Sequence, residues 1–303
     1  MKDFGYRLLK GALTAVAFLP LGVLYVFADV LYVLVYHVVR YRRRLVRRNL
    51  ADCLPGLIES ERRAVERRFY RNFADYVVET VKLLHISDAE MERRMTFENF
   101  ELIDRLVAEG RSVVIYFSHT GNWEWAPSMT LRAARRPGDG VEYCQVYRPL
   151  RNRTFDRLML DVRSRFGSLS FAKSAVLRDL IRLKKEGTVS VTGFMSDQKP
   201  SHGDPTVVTT FLGRPTAFIS GTETLARKLG YAVVYWDTDK PSRGHYHLTC
   251  RLMAGNAADC EPHRITLTYA SFLQNTILRN PAIWLWTHNR WKNPVNLDKL
   301  ESL

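Results

Sequence analysis

Residues 8–39 constrain this chain more than any other stretch. Nearly every side chain there is apolar, with Pro20, Asp29 and His37 as the main interruptions. Proline suits the start of a helix and disrupts its interior, so the run divides into 8–19 and 21–39. The second piece approaches the roughly 20 apolar residues that cross a bilayer. It is too long for a secretory signal, and no small-x-small cleavage site follows it. A pair of buried core helices is the soluble alternative. The chain therefore reads as an N-terminal membrane-anchoring segment, 1–48, and a second domain, 49–303.

Arg40-Tyr41-Arg42-Arg43-Arg44-Leu45-Val46-Arg47-Arg48 follows the apolar run at once, with six arginines in nine residues. Arginines beside a membrane segment mark its cytoplasmic side and suit an anionic membrane surface. The whole chain carries a net charge of +14, which favours anionic partners: lipid, nucleic acid or an acidic carrier protein. No nucleic-acid motif or base-stacking platform accompanies the charge, so lipid is the better match. Cys53, Cys144, Cys250 and Cys260 form no C-x-x-C pair. They suggest a reducing compartment and neither a disulfide framework nor a thiolate zinc site.

Beyond the arginines, 60–84 predicts an amphipathic helix capped by Ser60, with Val65, Phe69, Phe73, Val77 and Val81 on its apolar face. From about residue 96, apolar runs predict buried strands over 112–118, 141–147, 188–195 and 232–237. Helical stretches at 153–166, 174–186 and 221–229 alternate with them. This alternation points to an α/β fold, a central mostly parallel sheet flanked by helices.

His119 follows the first of these strands, at the place where open α/β sheets build their sites. Gly121 and Asn122 are turn residues, and Glu124 comes five residues after His119. A carboxylate at that spacing can meet the imidazole across the turn, fix its tautomer and support its protonated form. The ring then serves as a general base towards a hydroxyl. Taken alone, the spacing fits a surface His–Glu pair equally well. His202, His245, His247, His263 and His288 form no metal-ligand motif, and no metal site is expected.

The string His119-Thr120-Gly121-Asn122-Trp123-Glu124 resembles the H-x4-D/E motif of the glycerolipid and lysophospholipid acyltransferases. Its Gly-Asn-Trp-Glu form is similar to the bacterial lipid A biosynthesis (late, lauroyl-type) acyltransferases. The likeness covers nearly the whole chain. Arg47-Arg48-Asn49-Leu50, Tyr147-Arg148-Pro149-Leu150 and Arg163-Ser164-Arg165-Phe166-Gly167 are similar to successive blocks of that family. So are Asp197-Gln198, Phe211-Leu212-Gly213-Arg214-Pro215-Thr216 and Trp286-Thr287-His288-Asn289-Arg290-Trp291-Lys292. Lys199-Pro200-Ser201-His202 departs from the proteobacterial pattern and looks closer to a Bacteroidetes-type branch, which leaves the acceptor open.

The resemblance implies His119 as base and Glu124 as its partner. Arg163, Asp197, Arg148 and Arg214 are implied in substrate binding or transition-state support. An arginine there, or backbone amides near Gly121, would hold the oxyanion. The implied donor is an acyl carrier protein or coenzyme A thioester, with no cofactor, and the implied acceptor is a hydroxyl of a lipid A precursor. The implied setting is the cytoplasmic face of a bacterial inner membrane. A lysophospholipid or aminolipid acceptor is the enzymatic alternative. A basic peripheral membrane-binding protein is the non-enzymatic one.

Overall fold

Pro20 ends one helix and starts the next in the computed structural model, which describes residues 2–293 and 295. The expected domain end at 303 lies outside the described residues. Helix α1 (Lys2–Ala17) is followed by α2 (Leu21–Tyr32) and a π-helical turn, Val33–Val38. Breaking the helix leaves the carbonyls of Ala17 and Leu19 without helical partners, and buried Lys82 donates to them at 2.9 and 3.0 Å. A cation suits the negative end of a helix dipole. Residues 21–38 are long and apolar enough to cross a membrane by length and composition. One face, with Leu24, Ala28 and Tyr32, packs into the core, while Val23, Val26, Phe27 and Val30 stay exposed.

Next come α3 (Arg43–Cys53), α4 (Glu59–Lys82) and α5 (Asp88–Arg94). Ser60 does not cap α4. Glu61 reaches back to the Ile58 N–H at 2.9 Å, so the helix begins one residue earlier than expected. The expected apolar face is also corrected. Each step of four residues rotates about 40° beyond a full turn, so Val77 has drifted to the surface. Val65 and Phe69 are buried as expected, and the buried face continues through Glu66, Tyr70, Ala74, Asp75 and Glu79.

The sheet opens with β1 (Met95–Glu98), α6 (Glu101–Ala108) and β2 (Val113–Phe117). A 3-10 segment, Trp123–Ser128, and α7 (Met129–Arg132) lead to β3 (Val141–Tyr147), α8 (Arg153–Arg163), β4 (Leu169–Ala172), α9 (Val176–Lys185) and β5 (Val189–Met195). A separate hairpin of β6 (Thr206–Phe211) and β7 (Arg214–Ile219) precedes α10 (Gly221–Leu229), β8 (Ala232–Ser242), β9 (His245–Ala254) and α11 (Arg264–Arg279).

Seven strands form the central sheet in the order β1-β9-β8-β2-β5-β3-β4. All neighbours are parallel except β8 and β9. This is the expected α/β architecture. Side chains alternate across it. Val114 and Tyr116 of β2 join one apolar layer, and Val113, Ile115 and Phe117 join the other. Burial on both faces explains why this strand reads as an unbroken apolar run. Strand β8 runs past the expected end at Asp237, because it continues as an antiparallel hairpin with β9. All four cysteines are unpaired.

Candidate active site

Strand register brings the site together. Phe117 of β2 pairs with Met195 of the parallel neighbour β5, so His119 and Asp197, each two residues further on, emerge side by side. Asp197 Oδ1 lies 2.7 Å from His119 Nδ1. Its Oδ2 accepts from the His119 backbone N–H at 3.1 Å and from the Trp284 indole at 2.9 Å. Burial alone would raise the Asp197 pKa. The charge of the adjacent imidazole and the hydrogen bonds from His119 and Trp284 outweigh that and hold it down to about 2. An ionised acceptor at Nδ1 fixes the proton there and leaves Nε2 with its lone pair. The Gln198 amide nitrogen, 3.1 Å from Nε2, is suited to donate to it.

The loop after His119 is fastened from two directions. Gly121 has φ +62°, and a Cβ there would come within 2.8 Å of the Tyr246 ring, so only glycine fits. Its N–H donates to Ile283 O at 3.0 Å, and the Leu285 N–H donates to His119 O at 3.1 Å. The segment just before the terminal tryptophan-rich block therefore clamps the loop. From the other side, buried Glu79 of α4 accepts from Asn122 Nδ2 at 2.9 Å, Tyr246 Oη at 2.7 Å and Tyr25 Oη at 3.0 Å. Trp125 donates to the Glu79 carbonyl at 3.1 Å.

Asn122 Oδ1 accepts from the Glu124 N–H, starting the 3-10 segment. That turn aims Glu124 at α8. Arg163 Nε and Nη2 hold its two oxygens at 2.7 Å each. The Tyr76 hydroxyl approaches the same carboxylate at 3.5 Å. Burial opposes the charge of Arg163, but Glu124 outweighs it and keeps the guanidinium firmly cationic. The expected contact of Glu124 with His119 is thus replaced. Among the described residues, the carboxylate hydrogen-bonded to the imidazole belongs to Asp197, and Glu124 belongs to Arg163. Trp123, stacked on Tyr76 at 4.2 Å, sets its ring edgewise to His119 at 5.0 Å.

An imidazole oriented by a buried carboxylate, in a loop fixed by the C-terminal segment, is equipped to move a proton at Nε2. Residues 2–293 match a family model described as bacterial lipid A biosynthesis acyltransferase. The chain belongs to this family. It is similar to the lipid A biosynthesis lauroyltransferase of Escherichia coli strain K12, at 24% identity over 287 residues, covering 93% of this chain and 89% of that protein.

Two arginines expected in substrate binding or transition-state support in this lipid A acyltransferase are not among the hydrogen-bond partners of His119 in the described residues. Arg148 is exposed just beyond β3; against the burial that would raise its pKa, the Asp204 carboxyl is held below its usual range by Lys173 and the Ser201 N–H, with a smaller contribution from the Arg148 charge. Arg214 pairs with Asp52 of α3 at 2.7 Å and lies over the Trp291 ring at 4.7 Å. The amides expected to receive an oxyanion are also engaged. Those of His119, Thr120 and Gly121 donate to Asp197, Ser118 and Ile283 respectively. Among the described residues no group of three or more His, Cys, Asp or Glu could hold a metal ion.

Sequence reasoning missed Glu79 and Trp284 as parts of this acyltransferase's site, and it did not foresee the contact of Gln198 with His119. Glu79 carried a readable signal, since an acid on the buried face of an amphipathic helix requires partners. Gln198 lay in the Asp197-Gln198 block of the resemblance, without a role; Trp284 depends on tertiary approach and carried no signal.

Proposed function

We propose that this acyltransferase moves a fatty acyl chain from a thioester of acyl carrier protein, or secondarily coenzyme A, to a hydroxyl of a lipid A precursor. His119 Nε2 takes the hydroxyl proton as the oxygen attacks the thioester carbonyl. Asp197 stabilises the resulting imidazolium. When the tetrahedral intermediate collapses, the carbon–sulfur bond breaks and the imidazolium returns the proton to the leaving thiolate. Gln198, displaced from Nε2 by the acceptor, is the nearest amide donor for the oxyanion. Glu124 acts through Arg163, holding that guanidinium at the edge of the site. The step requires no cofactor.

The observation that supports this reading is the Asp197–His119 contact at Nδ1, which leaves Nε2 on the far side of the ring beside Gln198. The relative's name makes a lauroyl donor the first to test. We further infer that α1 and α2 lie in the inner-membrane surface with the sheet on the cytoplasmic side. Tyr25 and Asp29 of α2 bond to Glu79 and Arg243, and a spanning helix would draw those partners into hydrocarbon at high cost. The exposed apolar side chains of α2 suit an in-plane anchor, and exposed Arg40, Arg44 and Arg48 suit an anionic membrane surface.

Purified full-length protein in detergent, given lauroyl-carrier protein or lauroyl-coenzyme A, tests the reading. Mass spectrometry should find one added chain on a lipid A precursor and none on a lysophospholipid. His119→Ala should lower kcat by about 10³-fold, within the usual range for an acid–base group. Wild-type turnover in that variant, or transfer to the lysophospholipid alone, would overturn it.

A further inference from the structure

A cavity of about 680 Å³ opens between α2, α4 and the β8–β9 turn. That volume lies within the range of small-molecule sites. Four cationic side chains, Arg68, Arg71, Lys240 and Arg243, line it against two carboxylates, Asp29 and Asp75. The carboxylates are already committed. Asp75 holds Arg243 at 2.7 Å and Lys240 at 3.3 Å, and Asp29 holds Arg243 at 2.7 Å. Among the described residues no carboxylate forms an ion pair with Arg68 or Arg71. Arg68 touches only the Asn280 side-chain oxygen at 3.4 Å, and Arg71 lies over the Tyr32 ring at 5.2 Å. One turn apart on α4, these two guanidinium groups face the same space.

Two further features identify the occupant. One wall is Tyr32 and Val33 of the helical arm whose other face is exposed and apolar, so a molecule in the cavity sits beside lipid. A smaller adjoining cleft shares Asn72 and Ile283 with the cavity and continues along Phe73, Tyr76, Gly121 and Trp123. Trp123 packs against His119. The cavity and the cleft thus lie end to end along α4, and the cleft reaches the tryptophan that packs on His119.

We propose that this cavity is a subsite for a phosphomonoester on the headgroup of the acceptor lipid, held by Arg68 and Arg71 while the acceptor hydroxyl reaches His119. Guanidinium forks match phosphate oxygens in pairs. Lys240 and Arg243, fixed by their carboxylates, form the floor. The acceptor part of this assignment rests on the acyl-transfer reading; phosphate recognition does not.

Binding is measured on the full chain in detergent micelles, with dioctanoyl phosphatidic acid as probe and dioctanoylglycerol as its phosphate-free counterpart. Phosphatidic acid should bind and dioctanoylglycerol should not. Arg68→Gln/Arg71→Gln should weaken binding by at least about tenfold, the loss expected of charge-assisted hydrogen bonds. The double variant Arg178→Gln/Lys185→Gln removes equal charge from the exposed face of α9 and should change binding by less than about twofold. Both arginines are exposed on α4, so circular dichroism should show an intact fold. Equal weakening in both variants, no binding by wild type, or full displacement by equimolar inorganic phosphate would each overturn the subsite. In turnover, Arg68→Gln/Arg71→Gln should raise KM for a phosphorylated acceptor by about tenfold and leave kcat within about twofold. An unchanged KM also overturns it. Specific phosphatidic acid binding by a protein inactive as a transferase would keep the subsite and remove the acyl-transfer reading.

Discussion

Two buried carboxylates flank the same loop and do opposite work. Asp197 faces an imidazole, the kind of group that can take up a proton; Glu124 faces a guanidinium that stays charged. The first pair is an electrostatic device whose value changes as the imidazole becomes charged. The second is a permanent brace between the 3-10 segment and α8, with both oxygens bound at 2.7 Å. Spacing along the chain suggested the reverse assignment for Glu124. Nearness in sequence is a poor guide when a tight turn intervenes, and strand register is a better one.

Substitution separates the two roles. Asp197→Asn keeps the shape but removes the charge that supports the imidazolium, and kcat should fall by about 10³-fold or more, as in other triads that lose this acid. Its melting temperature should change less than that of Glu124→Gln. The latter leaves Arg163 charged and buried without its partner and should cost about 3–5 kcal/mol in a denaturant melt. Glu124→Gln/Arg163→Gln should recover most of that stability without recovering activity. If Asp197→Asn retains turnover while Glu124→Gln abolishes it with the fold intact, the contrast is broken.

His288 accepts the Lys199 N–H at 3.0 Å beside the site. Burial pushes its pKa down to about 4 from 6.5. Between those values the unfolded chain binds a proton that the folded chain does not, so stability should decline as pH falls from about 6.5 to 4. His288→Gln should flatten that slope in thermal melts. The smallest effect is expected of Arg214→Ala. Its ion pair with Asp52 is half-exposed, and such pairs are worth about 1 kcal/mol or less. Transfer rates should stay near wild type, whereas a large KM increase would restore a substrate role for Arg214.

Much of the fold was legible because parallel strands buried on both faces leave continuous apolar runs. The expected 141–147 and 221–229 coincide with β3 and α10. Strand β9 was passed over although it carried a signal: His245, His247, Thr249 and Arg251 alternate with buried Tyr246, Leu248 and Cys250, the period of a half-covered strand. Strands β1 and β4, four residues each, are too short to show a period. At the site, His119 was legible from its place after an apolar strand. Its contact with Asp197 joins residues 78 apart, and that of Glu124 with Arg163 joins residues 39 apart. Neither separation leaves a trace in local pattern.

Glu79 has one carboxylate and three side-chain donors, and they come from different parts of the molecule. Tyr25 belongs to the apolar arm, Asn122 to the catalytic loop and Tyr246 to the sheet. Whatever peels α2 away from α4 also removes a ligand from the side chain that steadies Asn122. With α2 in the membrane surface, as proposed, extraction and catalysis should be mechanically coupled. A harsh detergent should inactivate the enzyme before it unfolds the sheet, and restoring a bilayer should bring the activity back.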